Sequence, residues 1–253
     1  MKRIGCFLIA ALAYGQSPER LTFEVASIKP AATDTRIGGI KATPGGQRYE
    51  ARNVPVKLIF SLMYKIPMRQ ISGGPGWLDS DRWDIDAKAI HPYSKDDLQT
   101  MFKNLLADEF HLRFHKEVKE GPVYALVVDK AGSKIKINET PQDFEIPIQF
   151  SGPGEVTGKR VPMNYFTWWL GQVLANENRP VIDRTGLDKF YDFKLAFAPE
   201  PPPGADTANL PAGLKDLPSI FVALREQLGL RLEAQKGPVE YYVIESAEKP
   251  SGN

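Results

Sequence analysis

Three histidines, at positions 91, 111 and 115, and one cysteine, Cys6, are the only imidazole and thiol groups in the chain. His111 and His115 have the i, i+4 spacing of a zinc-binding pair on a helix, but no Glu follows His111 to complete the helical metalloprotease pattern. Leu112 and Phe114 alternate with Arg113 as in a strand, where four residues set two rings about 13 Å apart. We read a solvated basic strand face there and no metal site. Asp79, Asp81, Asp84 and Asp86 form the densest acidic cluster. Asp84 and Asp86 would share a strand face at roughly 7 Å, which could serve glycoside hydrolysis. Aspartates shaping a turn that leads into an exposed strand explain the same pattern without chemistry. Around Gly73 and Gly74 the chain is glycine-rich, but it lacks the Lys-Ser/Thr end of a phosphate loop and no helix start follows, so turn chemistry is expected. Trp77, an aromatic beside open backbone donors, suits contact with a sugar or a peptide. No nucleophile elbow, dinucleotide fingerprint or calcium-loop spacing occurs, so no catalytic residue and no cofactor are assigned.

These residues sit between well-patterned elements. Val56, Ile59, Phe60 and Met63 fall at i, i+3, i+4, i+7 and predict a helix. Ser94 with Asp97 resembles a capping box ahead of Leu98, Met101, Phe102, Leu105 and Leu106, a second helix. Trp83, Ile85 and Ala87 alternate with Asp84 and Asp86 as a strand with one wet face. After the second helix, Phe114 and a short turn lead to Val123 to Val128, which together predict an antiparallel hairpin. Tyr49 to Arg52 and Phe23 to Ile28 supply further strands.

The same order recurs. Val54-Pro55-Val56 returns as Val161-Pro162-Met163 at an offset of 107, and Trp83-Asp84-Ile85 returns as Tyr191-Asp192-Phe193 at 108. Phe110 to Phe114 matches Leu228 to Leu232 at 118, and Gly121-Pro122-Val123 matches Gly237-Pro238-Val239 at 116. The change of offset falls on Pro199 to Pro218, a Pro/Ala/Gly-rich stretch expected to be a mobile loop. Met163, Phe166 and Leu170 repeat the first helix, and Ile220, Phe221, Leu224 and Leu228 repeat the second. Trp169 flanks the first of these stripes, whereas Trp168 points away from it, toward the other copy or toward a partner. The expected fold is α+β, two tandem β-α-β-α-β-β units, each a small mixed or antiparallel sheet packed by two helices. Their bounds are 46–137 and 138–249, preceded by a strand and linker over 16–45.

Met1-Lys2-Arg3, an apolar run from Ile4 to Ala13 and small residues before Gln16 read as a signal peptide over residues 1–15, hence export to the periplasm or beyond. Cys6 lies within it, so the mature chain would hold no disulfide. Removing Lys2 and Arg3 leaves 30 basic residues against 31 acidic ones, without a basic run, which argues against nucleic acid as a partner. No later stretch is long and apolar enough for a membrane span.

Phe23-Glu24-Val25-Ala26-Ser27-Ile28-Lys29-Pro30, Gln70-Ile71-Ser72-Gly73-Gly74-Pro75, Trp77-Leu78-Asp79-Ser80-Asp81, Pro122 to Val128 and Gln227-Leu228-Gly229-Leu230 together resemble the secreted "soil-associated" family abundant in acidobacteria. That family has no established function, and similar domains attached to membrane peptidases resembling the β-lactam sensor imply an envelope or sensory setting. The family pattern has Gly where Lys189 stands here. Each half is also similar, in element order and in the helix pattern ahead of Phe110-His111-Leu112-Arg113-Phe114, to the short N-terminal module of secretins and TonB-dependent receptors, which implies protein docking. The expectation is an exported, non-catalytic binding protein whose partner is an envelope protein or glycan, contacted through Gly73, Gly74, Trp77 and Trp168. A secreted hydrolase of polysaccharide or peptidoglycan and a structural envelope protein are the alternatives.

Overall fold

A computed structural model describes residues 20–32, 38–42, 46–141, 146–199 and 212–251. The expected signal segment 1–15 and most of the loop expected over 199–218 lie outside the described residues. The fold is α+β. In chain order the elements are β1 (Val25–Pro30), β2 (Ile40–Ala42), β3 (Arg48–Pro55), α1 (Val56–Tyr64), β4 (Ile71–Gly73), α2 (Trp77–Ser80), β5 (Arg82–Lys88), α3 (Lys95–Glu109) and β6 (Arg113–Val128). They continue with β7 (Lys136–Ile137), β8 (Ile148–Gly152), β9 (Glu155–Val161), α4 (Met163–Val173), β10 (Val181–Asp183), β11 (Tyr191–Ala196), α5 (Ala212–Lys215), α6 (Ile220–Ala223) and β12 (Leu230–Ser246).

Local signals explain the helices. Val56, Ile59, Phe60 and Met63 are the buried face of α1, and Leu98, Met101, Phe102, Leu105 and Leu106 that of α3. Ser94 caps α3 by accepting from the Asp97 N–H at 3.1 Å, which satisfies one of the first-turn donors that have no partner inside the helix. Ser219 does the same for α6, which widens into a π turn over Leu224–Leu228. There Gln227 accepts from the Ala196 N–H at 2.9 Å and donates to the Ala196 carbonyl at 2.8 Å, tying the turn to the end of β11.

The described residues form three four-stranded sheets, in the orders β1-β5-β3-β2, β10-β6-β12-β4 and β7-β11-β9-β8. The central one differs from the expected hairpins. No turn interrupts residues 113–128 or 230–246; each is one long strand, and the two pair antiparallel from Leu230↔Val128 to Ser246↔Arg113. Gly121 faces Gly237 at the crossing, with Pro122 opposite Lys236 and Pro238 opposite Glu120. Gly-Pro read as a turn because proline removes a ladder donor. Among the described residues, however, no third strand is present at the crossing: β10 pairs with β6 only at residues 124–126, and β4 with β12 only at 242–244. A proline nitrogen turned to the unpaired side forfeits no bond. Glycine fits the close approach there, since a Cβ on Gly121 would lie 3.1 Å from Val239 Cγ2 and one on Gly237 3.0 Å from Val123 Cγ2, so each valine would have to shift by a few tenths of an ångström.

The long strands carry side chains across. Tyr242 and Ile244 of β12 complete the core built by α1, α3 and β5, while Tyr124 and Leu126 of β6 complete the core built by α4, α6 and β11. Tyr49, 4% exposed against Phe102 at a ring separation of 5.0 Å, has its phenol pushed up to about 12 by burial. Unfolding returns it to its ordinary value near 10. The buried group resists ionising, so its contribution is intact below pH 10 and is lost as pH rises toward 12, at most about 3 kcal/mol. Base titration of unfolding should show Tyr49→Phe losing less stability than wild type between these limits; parallel curves would contradict this.

Candidate functional site

A cleft of about 500 Å³ opens over the strand crossing, between the end of α1 and helix α4. The α1 wall is shaped by Lys65, which closes the helix in the left-handed region at φ 53° and donates its N–H to the Ser61 carbonyl. The Ser61 hydroxyl donates to the Ile66 carbonyl at 2.5 Å, which turns the chain through Pro67 toward Gln70. Tyr64 and Tyr242 form an aromatic shoulder, their rings 5.7 Å apart, with Lys103 Nζ over Tyr64 at 5.0 Å and Lys116 Nζ over Tyr242 at 4.9 Å. Burial, followed by the neighbouring Tyr242, raises the Tyr64 phenol pKa, so it stays a hydrogen-bond donor at neutral pH.

Two polar atoms in this lining lack partners. Gln70 is 7% exposed; its Nε2 donates to the Glu240 carbonyl at 2.6 Å, while its Oε1 is buried without a hydrogen-bond partner. Trp168 Nε1 is likewise buried and unpartnered. Leaving such a group unpaired costs on the order of 1–3 kcal/mol, so two of them on residues of one cleft are a feature to be explained. Gly171 stands in the same lining, on the inner side of α4, and a Cβ there would meet no atom within 4 Å. A glycine inside a helix costs about 1 kcal/mol relative to alanine, and here it keeps space open. The arrangement can take a mainly apolar group of small-molecule size.

Of the four residues expected to make contact, only Trp168 lines this cleft. Gly73 and Gly74 take φ of +74° and +72°, and a Cβ on Gly73 would lie 2.5 Å from the Ile244 carbonyl oxygen, so both serve the passage of β4 against β12. A short helix does follow them, contrary to expectation: α2 begins at Trp77. The Trp77 ring is half-buried, stacked on Phe110 at 6.3 Å and edge-on to Trp83 at 6.4 Å, with Lys249 Nζ over it. Trp77 and Trp168 are thus on separate surfaces. Gln70 carried no signal in the sequence beyond its amide, because its burial depends on Glu240, 170 positions away.

The aspartates are engaged individually. Asp79 pairs with Lys57 at 3.0 Å and Asp81 with Lys249 at 2.6 Å. Asp84 accepts the N–H of Asn53, a bulge residue at φ 48°; Asp192 accepts that of Arg160, at φ 47°, in the same way. Asp86 is bonded by Arg48 and Arg52, and these bonds, Arg48 foremost, hold its carboxyl below the usual range. A glycosidase acid needs the opposite shift. His115 lies in β6 bonded to Glu245 at 2.8 Å, and among the described residues no group of three His, Cys, Asp or Glu side chains could hold a metal.

A family model described as "Protein of unknown function (DUF3738)" matches residues 57–247. The chain belongs to that family. In this DUF3738 chain the matched span runs from the start of α1 to the end of β12 and so takes in the whole cleft lining. No curated protein and no solved structure matches it. No described helix is long and apolar enough to cross a membrane.

Proposed function

We propose that the protein is an exported, non-catalytic binding protein of the bacterial envelope, and that the cleft over the strand crossing is its ligand site. The mainly apolar cleft carries this reading, together with the space kept by Gly171. Concave, mostly apolar clefts of this size are the usual form of a small-ligand site. We also propose that the two halves descend from one β-α-β-α-β-β unit that paired with its own copy through the long strand before fusion. Support comes from the common order of elements, the paired bulges at Asn53 and Arg160, and the Gly121–Gly237 crossing.

The test separates stability from binding. Trp168→Phe removes a donor that has no partner in the free protein, so unfolding stability should stay within about 1 kcal/mol of wild type or rise. Gly171→Met should project into the cleft. Small molecules retained by the protein from envelope extract, measured by native mass spectrometry, should be lost or weakened at least about tenfold in both variants. Equal retention by wild type and both variants would end the proposal.

A further inference from the structure

A second hollow, of about 230 Å³, adjoins the cleft, and Lys65 and Asn164 line both. Charge distinguishes the two. In the cleft lining, Lys65 and Arg184 are matched by Asp183 and Glu240. The hollow is lined by four cations, Lys65, Lys95, Lys159 and Arg160, against one carboxylate, Asp96. Lys159 is exposed and Lys65 half-buried, and neither makes an ion pair with any described residue, so their charges are not paired within the described protein. The Arg160 guanidinium is held in place: it lies over the Phe190 ring at 4.3 Å, and Nη1 donates to the carbonyls of Asn138, at 3.2 Å, and Thr140. Those two partners are neutral, so the guanidinium charge persists. Lys103 has its pKa held down by burial and then by the charge of Lys65, as expected where cations crowd. Tyr165, also in the lining, has its phenol pKa raised by burial and so adds no negative charge at neutral pH.

An apolar, charge-balanced cleft thus stands next to a smaller, cationic hollow. The first favours burial of an apolar chain, which gains from every carbon removed from water. The second favours an oxyanion, because unpaired like charges crowded in a concave wall draw in the opposite charge and form charge-assisted hydrogen bonds with it. The shared residues Lys65 and Asn164 let one molecule occupy both. We infer that the ligand is an anionic amphiphile, its apolar chain lying in the cleft and its oxyanion head among Lys65, Lys159 and Arg160. This deepens the ligand-site reading above and rests on it. A fatty carboxylate and an alkyl phosphate offer the same chemistry, and the test separates them.

Titration calorimetry with decanoate, decyl phosphate, decanol and decyltrimethylammonium, each below its micelle concentration, tests the head; butyrate and inorganic phosphate test the chain. At least one decyl anion should bind about tenfold more tightly than decanol, decyltrimethylammonium and both chainless anions, and the tighter of the two decyl anions names the head. The double variant Lys65→Gln, Lys159→Gln changes side chains that are not buried, and it should erase the preference for anions while leaving decanol binding as it was. Gly171→Met should weaken every decyl probe. Equal binding of decanol and the decyl anions, lost in Gly171→Met, would overturn the anionic head and leave the cleft as the ligand site. An anion preference that survives the double variant would overturn the placement of the head. Butyrate or phosphate matching the decyl anions would overturn the chain in the cleft. Binding of none of the probes would overturn the amphiphile, while retention of another molecule from envelope extract would still support the cleft.

Discussion

Residues 20–137 and 138–251, produced as separate fragments, should each fail to fold as a monomer, and mixing them should restore cooperative unfolding. The reason is the exchange of long strands. The fragment 20–137 keeps α1, α3 and β5 but loses Tyr242 and Ile244, both at most 4% exposed in that core; 138–251 loses Tyr124 and Leu126. Burying a large side chain is worth roughly 1.5–3 kcal/mol, and each hydrogen bond of the ladder from Leu230↔Val128 to Ser246↔Arg113 about 1 kcal/mol. Together these losses match the roughly 5–15 kcal/mol by which a domain is stable at all. Circular dichroism and amide dispersion in proton NMR would read the result. A fragment that unfolds cooperatively as a monomer would show that strand exchange is decoration on two self-sufficient units. A fragment that folds only as a homodimer would agree with exchange, because the Gly121 crossing is nearly symmetric with Gly237.

Phe60→Ala should cost about 3–5 kcal/mol, the usual range for emptying a buried phenylalanine site. Phe60 is 0% exposed and joins three separate stretches of chain: its ring lies 4.4 Å from Tyr64 of its own helix, 5.0 Å from Phe114 of β6 and 5.7 Å from Tyr242 of β12. Each such aromatic pair adds about 0.5–1.5 kcal/mol beyond area burial, and the surrounding rings are held by different elements, so the void cannot collapse easily. Urea unfolding monitored by tryptophan fluorescence should show the midpoint falling with little change in slope. A loss below about 1 kcal/mol would mean that the crossing does not depend on this cluster. Tyr64 and Tyr242 also line the cleft, so the same variant should weaken ligand retention even where it is still folded.

Much of the local structure was legible from neighbours within one or two turns of chain. The i, i+3, i+4 stripe of α1, the Ser94 cap of α3 and the alternation Trp83, Ile85, Ala87 in β5 are decided by interactions across a few residues, and each stands as expected. Asp84 was legible as part of a corner for the same reason, although the positive φ of Asn53 that it stabilises was not. Trp168 could be read as facing away from the buried stripe of α4, but what it faces depends on the 64–70 corner and on β12, far away in sequence. Trp77 was misjudged as a free loop aromatic because Phe110 and Trp83, which take up its ring, are brought in by α3 and β5.

The amino-acid order by itself determined the helices α1 and α3, the strand β5 and which of their faces are apolar, because periodicity and capping act locally. Only the tertiary structure decided that two Gly-Pro segments run straight through a strand crossing, and that Gln70 and Trp168 line one cleft, each with a buried, unpartnered polar atom. Strand partnership is settled by pairing energies between residues more than a hundred positions apart, and burial of a polar atom is a property of everything packed around it.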